Sequence, residues 1–269
     1  MEILSIILAG GQGSRLDLLS QRRSKPAMPF AGKFRIIDFA LSNLMHSQMY
    51  DCAILTQYQP LSLNEHIGSG KPWDLDRLES HVSILQPHKQ WYEGTADAVK
   101  KNIEFIERKN PKYILLLSGD HIYKMDYRKM LNAHIEALNS VTIAAQVVPS
   151  EETHRYGILE TDENLRITYF KEKPKETTSN LASMGIYIFN TNVLLEALRK
   201  NTHEDLDFGK HIIPDCLSDD RLRVGAYIYS GYWVDVGTLD SYLATNLELT
   251  KPFSKLDLYD TNWKIHTKS

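Results

Sequence analysis

The sequence predicts an α/β fold on a mostly parallel sheet, with a smaller β-rich part in its second half. Three observations carry this. Strand-like and helix-like segments alternate along most of the 269 residues, the pattern of parallel strands joined by crossover helices. The first segment, Ile3 to Ala9 (ILSIILA), is nearly continuous apolar sequence, as expected of a central strand buried on both faces. From about Gly157 the alternation gives way to short strands around polar turns.

Taken in order, the strand Ile3 to Ala9 stops at a glycine-rich turn. Ile36 to His46 reads as a helix with Ile37, Leu41 and Leu44 along one face, and Asp51 to Thr56 as the next strand. Residues 68 to 80 form a polar loop punctuated by Gly and Pro, before a short strand at His81 to Leu85. Thr95 to Arg108 is predicted as one helix, Tyr113 to Leu117 as a strongly apolar strand, Met125 to Leu138 as a helix and Val141 to Val148 as a β-branched strand. GILE and RITYF suggest an antiparallel hairpin turning at Asp162-Glu163-Asn164. Met184 to Phe189 and Leu222 to Tyr229 read as strands; Val193 to Lys200, Phe208 to Leu217 and Thr238 to Leu249 read as helices. No internal repeat or low-complexity tract appears, and the loop lengths suit one compact domain with a smaller β-rich lobe.

Composition narrows the function classes. Hydrophobic residues make up 42%, enough for a sizeable core, and 31 Lys and Arg against 34 Asp and Glu leave a net charge of −3. A general nucleic-acid or membrane-surface binder is usually basic, so neither partner is expected, although a local cationic pocket is compatible. Cys52 and Cys216 read as buried free thiols, which fits a reducing cytosol. No apolar run approaches the roughly 20 residues of a membrane helix, and the N-terminus has no basic region ahead of an apolar one. The expected location is cytoplasmic.

Chemistry concentrates first in the turn after Ala9. Gly10, Gly11 and Gly13 let backbone N–H groups approach an anion that any Cβ would hold away. Arg15 adds a permanent cation with a planar fork for phosphate oxygens, and Lys25 follows in Ser24-Lys25-Pro26. On glycines alone, a tight structural turn and a phosphate loop are equally open; the two cations favour phosphate. The pattern is not G-x-x-x-x-G-K-[ST], and the third glycine of G-x-G-x-x-G falls on Leu16.

Two acids stand at apparent strand ends beside glycine. Asp120 lies in Ser118-Gly119-Asp120-His121, directly after an apolar strand, where ligands bind in open α/β sheets. Asp235 lies in GYWVDVGT, held by apolar neighbours. Together they make a hard-oxygen clamp for a divalent cation, or they are turn and cap residues.

GGQGSRL followed by SKPAMPFAGKFRIIDFALSN resembles the signature of the sugar-nucleotide pyrophosphorylases, most closely that of the glucose-1-phosphate adenylyltransferases, the ADP-glucose pyrophosphorylases of glycogen synthesis. GDHIYKMDY, GYW-x-DVGT and WY-x-GTADAV extend the match nearly letter for letter. Ser14, Leu18 and Ala31 depart from the usual Thr, Pro and first glycine of a pair, and none removes a charge.

The resemblance implies a Rossmann-like mixed, mostly parallel sheet flanked by helices, the nucleotide-diphospho-sugar transferase fold, with a smaller β-rich sugar-binding lobe. It implies that residues 1–250 are the nucleotidyltransferase domain. Residues 251–269 would then lead towards a C-terminal left-handed β-helix whose repeats are absent from this chain. It implies transfer from ATP to α-D-glucose 1-phosphate, giving ADP-glucose and pyrophosphate, the committed step of bacterial glycogen synthesis. Arg15, Lys25 and Asp120 would be catalytic, and Asp120 and Asp235 would hold Mg²⁺. Ala9, Gly10, Gly11, Gly13, Gly94 and Thr95 would bind the nucleotide, Gly94 and Thr95 from a helix N-terminus with free N–H groups. Tyr92, Gly157, Glu172, Lys173 and Ser183 would bind glucose 1-phosphate, Lys173 pairing with the phosphate and Glu172 with sugar hydroxyls. The family's assemblies imply a homotetramer or a hetero-oligomer with a paralogous subunit.

Other readings remain at this level: a sister enzyme using UTP, dTTP or GTP, or a non-catalytic regulatory subunit of the same enzyme. Regulatory paralogues usually lose the cradle arginine or a metal aspartate, and this chain keeps both. A nicotinamide dehydrogenase is disfavoured by Leu16. His46, His66, His121 and His134 read as surface or core residues.

Overall fold

The computed structural model describes residues 2–11, 23–88, 90–251 and 254–268. Along the chain these form β1 (Ile3–Ala9), β2 (Pro29–Phe30), β3 (Phe34–Arg35), α1 (Ile37–His46), β4 (Cys52–Thr56), α2 (Pro60–Ile67) and β5 (Val82–Leu85). Next come α3 (Thr95–Lys100), α4 (Ile103–Lys109), β6 (Tyr113–Ser118), β7 (His121–Tyr123), α5 (Tyr127–Glu136), β8 (Val141–Val147), β9 (Gly157–Thr161) and β10 (Ile167–Glu172). The chain continues through β11 (Leu181–Asn190), α6 (Thr191–Lys200), α7 (Ile213–Leu217), β12 (Val224–Ile228), β13 (Trp233–Asp235) and α8 (Leu239–Glu248). The class is the expected one, α/β with a mixed sheet, helices and a smaller antiparallel region.

The chain divides into two compact units. The first holds Met1–Leu4, Gln90–Leu116 and Arg128–Ser230; the second holds Ser5–Lys89, Leu117–Tyr127 and Gly231–Ser269. Strands β1 and β6 contribute residues to both.

In the second unit β1, β4 and β5 pair in parallel, Ile7 opposite Ile54 and Ile54 opposite Ile84. Both faces are covered, which is why β4 is buried at every residue and reads as one apolar run. Two small antiparallel ribbons, β2 with β3 and β7 with β13, were not legible as strands because each has only two or three residues. The core beneath them gathers Met28, Phe30, Phe34, Ile36, Phe39, Ile122, Val236, Leu256 and Ile265. Residues 254–268 have no helix or strand, yet α1 and its neighbours pin them. Trp263 Nε1 donates to Asn43 Oδ1 at 2.8 Å, the His266 N–H to Ser42 Oγ at 2.8 Å, and Trp73 Nε1 to the His266 carbonyl at 3.1 Å.

In the first unit β11 pairs antiparallel with β6 and β8, β8 pairs in parallel with β12, and β9 and β10 form the expected hairpin. The register of β11 against β8 shifts between Ser183 and Tyr187, where Gly185 has φ +68°. Such a bulge re-aims the side chains around it.

Two predicted helices are interrupted. Thr95 to Arg108 breaks into α3 and α4 because Asn102 turns its amide back, Nδ2 donating to the Ala98 carbonyl at 2.8 Å and to Tyr92 Oη at 3.1 Å. A side chain that bonds nearby backbone competes with the helical ladder. Phe208 to Leu217 opens with a wide π turn over Phe208–Ile212 before α7. Pro214 has no N–H to give the regular ladder there. Helix α2 went unrecognised in sequence; it starts at Pro60, which suits a first turn whose N–H groups are unpaired anyway. The last helix starts as expected: Thr238 and Ser241 form a reciprocal capping box.

Cys52 and Cys216 are free and buried, and burial pushes both thiols up, Cys216 to about 12. Among the described residues no helix is long and apolar enough to cross a membrane.

Candidate active site

The second unit brings three of the expected site residues together. Lys25 Nζ donates to Asp120 Oδ2 at 2.7 Å and to Asp235 Oδ1 at 2.9 Å. The aromatic and aliphatic core explains how residues so far apart in sequence meet. Met28 follows Lys25 by three positions, Ile122 follows Asp120 by two, and Val236 follows Asp235 directly; all three side chains are in one cluster. The β7–β13 ribbon then sets the register, placing Asp235 opposite His121 and Val234 opposite Ile122. Lys25 sits in a short 3₁₀ turn with Pro26 and is 6% exposed.

Glycines clear the space around these groups. Gly119 donates its N–H to the Leu8 carbonyl, and a Cβ there would stand 3.0 Å from Ile7 Cγ2. A Cβ at Gly237 would stand 2.9 Å from Asp235 Oδ2. Burial of Lys25 lowers its pKa, but the two carboxylates outweigh that and raise it. Burial likewise pushes Asp120 up, and the Lys25 charge, then His121, hold it well below the ordinary carboxylate range. Ser118 Oγ also donates to Asp120 Oδ1.

His121 belongs to this site, although the sequence reading set it aside. Trp233 Nε1, which can only donate, points at His121 Nδ1 at 3.3 Å, with the rings edge to face. Neutral His121 therefore carries its proton on Nε2, which faces Asp120 Oδ1 at 3.5 Å and Asp235 Oδ1 at 3.9 Å. The available signal was its place directly after Gly119-Asp120.

Two carboxylate oxygens from different segments already converge on one cation. Hard oxygen donors in that arrangement fit Mg²⁺, so the donor set suits the implied metal. Ala9, Gly10 and Gly11 end β1 beside this group in the same unit; a Cβ at Gly10 would meet Gln57 Cβ at 3.3 Å, whereas Gly11 faces open space. The expectations for Gly13 and Arg15 lie outside the described residues.

The first unit builds a second cluster around Glu172. Hairpin pairing puts Glu172 opposite Gly157. A Cβ at Gly157 would stand 2.5 Å from Phe170 Cζ and 2.9 Å from Glu172 Oε2, and one at Gly209 only 2.4 Å from that oxygen. Both glycines are there to let the carboxylate in. Burial raises the Glu172 pKa; Lys173 opposes this and Asp207 adds to it. Lys173 Nζ lies 3.5 Å from Glu172 Oε1 with its side chain 56% exposed. Its φ of +46° is held by its N–H donating to the Tyr156 carbonyl at 3.0 Å. Ser183 is buried, and its Oγ accepts the Gly185 N–H and reaches Tyr187 Oη at 3.5 Å.

Asp207 was missed in sequence and organises this cluster. Its Oδ1 accepts the Gly209 and Lys210 N–H groups, and its Oδ2 accepts Thr95 Oγ1. An acid capping a wide turn looks like any other Asp among 34 acids. Tyr187 and Phe208, stacked with centroids 5.8 Å apart, went equally unnoticed as ordinary core aromatics.

Gly94 and Thr95 stand at the start of α3 as expected, but the next two N–H groups are already paired. The Ala96 and Asp97 N–H groups donate to the Leu206 carbonyl at 3.0 and 2.9 Å. A Cβ at Gly94 would stand 2.2 Å from that carbonyl oxygen, so Gly94 answers to the backbone of residue 206. Tyr92 is buried with its hydroxyl accepting from Asn102, and burial raises its pKa.

His203, Asp205 and His211 also bring ligand-type atoms within 4.8 Å of one another. There the imidazoles stack 4.2 Å apart and His211 Nδ1 accepts the Asp207 N–H, so the lone pair is spent on backbone. Among the described residues, the carboxylates already gathered on a cation are Asp120 and Asp235, around Lys25 Nζ.

Comparison with known proteins shows the family. Residues 4–252 match the family model described as nucleotidyl transferase. A glucose-1-phosphate adenylyltransferase of Lachnospira eligens is 52% identical over 274 residues, covering 100% of this chain and 64% of that protein. Proteins of the same name from Fervidobacterium nodosum and Clostridium beijerinckii are 52% identical, each over 99% of this chain and over 66% and 71% of their own lengths. The chain thus spans about two thirds of the length of the curated relatives it matches. It belongs to the nucleotidyl transferase family, among the relatives of the glucose-1-phosphate adenylyltransferases.

Proposed function

We propose that this chain carries the nucleotidyl-transfer chemistry of ADP-glucose synthesis, from ATP and α-D-glucose 1-phosphate to ADP-glucose and pyrophosphate. The observation that carries the reading is the convergence of Asp120 and Asp235 on one cation site beside Lys25. The names of the relatives support the substrates.

In this reading a phosphate oxygen of glucose 1-phosphate attacks the α-phosphorus of ATP. The new P–O bond forms as the bond to the β-phosphate oxygen breaks, and the electron pair leaves on pyrophosphate. The attacking oxygen is already ionised, so no base is needed and the residues align and neutralise charge. Family members generally work with a divalent metal; Mg²⁺ held by Asp120 and Asp235 would supply Lewis-acid neutralisation of phosphate oxygens. Lys25 stabilises charge developing at the α-phosphate, and Arg15 holds the outer phosphates. Lys173 pairs with the sugar phosphate, Glu172 accepts from sugar hydroxyls, and Tyr92, Gly157 and Ser183 complete that set. Ala9, Gly10, Gly11, Gly13, Gly94 and Thr95 serve the nucleotide, Gly94 by letting the backbone close. The reading extends to a cytoplasmic homo-oligomer, a tetramer by resemblance, or a hetero-oligomer with a paralogous subunit, at the committed step of bacterial glycogen synthesis.

The test is pyrophosphate release with a panel of nucleotides and sugar phosphates, repeated with Asp120→Asn and Asp235→Asn. ATP with glucose 1-phosphate should be preferred, and each variant should lose orders of magnitude in turnover with its circular dichroism unchanged. A protein that binds an ATP analogue but releases no pyrophosphate with any pair fits the regulatory-subunit reading instead.

A further inference from the structure

We propose that Lys25 is the resident counter-ion of the metal carboxylates, so that a divalent cation binds by displacing its ammonium. This rests on the assignment of Asp120 and Asp235 as metal ligands. Lys25 Nζ holds Asp120 Oδ2 at 2.7 Å and Asp235 Oδ1 at 2.9 Å, the same two oxygens a metal would take. A metal bonds such oxygens at roughly 2.0–2.1 Å, which puts it in the gap the ammonium fills. Two cations cannot share that gap.

The surroundings say which part moves. The main chain at Lys25 is fixed: Ala27 N–H donates to the Ser24 carbonyl, Met28 N–H to the Lys25 carbonyl, Pro26 stiffens the turn, and Met28 is anchored in the core. The side chain alone is left to swing. Other groups facing the carboxylates include His121 Nε2, at 3.5 and 3.9 Å, and Ser118 Oγ on Asp120. Neither brings the permanent charge that Lys25 does, and Lys25 Nζ touches both acids, at 2.7 and 2.9 Å.

The exchange has a functional consequence. Replacing one positive charge by two on the carboxylates, while the ammonium stays within reach of its tether, takes the group formed by Asp120, Asp235 and Lys25 from net negative to net positive. Free protein should therefore hold the metal weakly. Phosphate groups that give Lys25 a new partner should then tighten the metal, so nucleotide and metal bind cooperatively.

The experiment is Mn²⁺ titration of the whole chain without nucleotide, followed by the loss of the free-ion electron paramagnetic resonance signal. Lys25→Met and Lys25→Gln remove the competing charge and should bind Mn²⁺ about 10- to 100-fold more tightly than wild type. Lys25→Arg keeps the charge and should stay within a few-fold of wild type. Adding Asp120→Asn to Lys25→Met should abolish the gain. Equal or weaker binding by both neutral variants, with wild type still binding, overturns the exchange and leaves the metal ligands standing. No Mn²⁺ bound by any of the proteins overturns both. Should the neutral variants unfold without metal, recovery of cooperative melting in millimolar Mn²⁺ supports the exchange, and failure to recover overturns it.

Discussion

Thr95 Oγ1 donates to Asp207 Oδ2 at 2.8 Å and accepts the Phe208 N–H at 3.1 Å, tying the start of α3 to the turn before α7. The same junction has the Leu206 carbonyl accepting from Ala96 and Asp97, so a loop and a helix start share four hydrogen bonds. Thr95→Val keeps the shape and removes both hydroxyl bonds. It should lower stability by about 1–3 kcal/mol, with Thr95→Ser recovering most of it. Urea midpoints for the three proteins test this; a valine variant with the wild-type midpoint would show that the hydroxyl contributes nothing.

The β2–β3 turn holds a residue in the wrong backbone region for its type. Ala31 has φ +50° and Gly32 φ +79°. Left-handed backbone costs an L-residue with a Cβ roughly 1–2 kcal/mol, and glycine recovers that at some cost in unfolded-chain entropy. Ala31→Gly should therefore stabilise by about 1 kcal/mol, raising the melting temperature by roughly 2–4 °C. The Ala31 N–H donates to Asn246 Oδ1 and is kept by the substitution. A lower melting temperature would show that the turn relaxes around alanine at no cost.

Most of the fold was legible because hydrophobic period and glycine placement are local signals. β1 was placed to the residue, and α1, β4, β6, β8 and the β9–β10 hairpin within a few residues. What failed was side-chain bonding to backbone, which periodicity does not show. The break at Asn102 goes with its amide bonding the Ala98 carbonyl and Tyr92, and the wide turn at Phe208 with the Asp207 cap and Pro214. At the site, Asp120, Asp235 and Lys25 were readable as residue types beside glycine. Their convergence needed the core that joins Met28, Ile122 and Val236. The closeness of the Leu206 carbonyl to Gly94 was not legible either, because a glycine at a helix start looks alike whether it admits a ligand or a backbone carbonyl.

Glu172 makes stability depend on pH. Burial raises its pKa in the folded chain above the ordinary value. The folded state then holds more protons than the unfolded state in the window just above that ordinary value, so stability falls as pH rises through it. The contribution is fully present at lower pH and lost above the folded pKa. Glu172→Gln removes the titration. It should melt on the order of 2 °C higher than wild type at pH 7 and lose that advantage near pH 4. Melting curves from pH 4 to 8 read the difference; an advantage that is constant with pH would place its cause elsewhere.

Lys173 should serve the sugar phosphate alone. Its side chain is mostly exposed and loosely paired with Glu172 at 3.5 Å, so its ammonium is available to an incoming anion. Its main chain is held by the Tyr156 carbonyl, a bond that truncation leaves intact. Lys173→Ala removes one charge-assisted contact, worth about 1.5–3 kcal/mol, or roughly 10- to 150-fold. That loss should appear in the KM for glucose 1-phosphate, with the KM for ATP changing little. Lys173→Arg keeps a cation and should recover part of the affinity, less than fully because the planar fork differs from a point charge. The measurement is KM for each substrate at saturating concentration of the other, in all three proteins. A larger effect on ATP would assign Lys173 to the nucleotide. An unchanged KM for both would return it to the solvated surface, leaving Glu172 without a phosphate-binding neighbour at position 173.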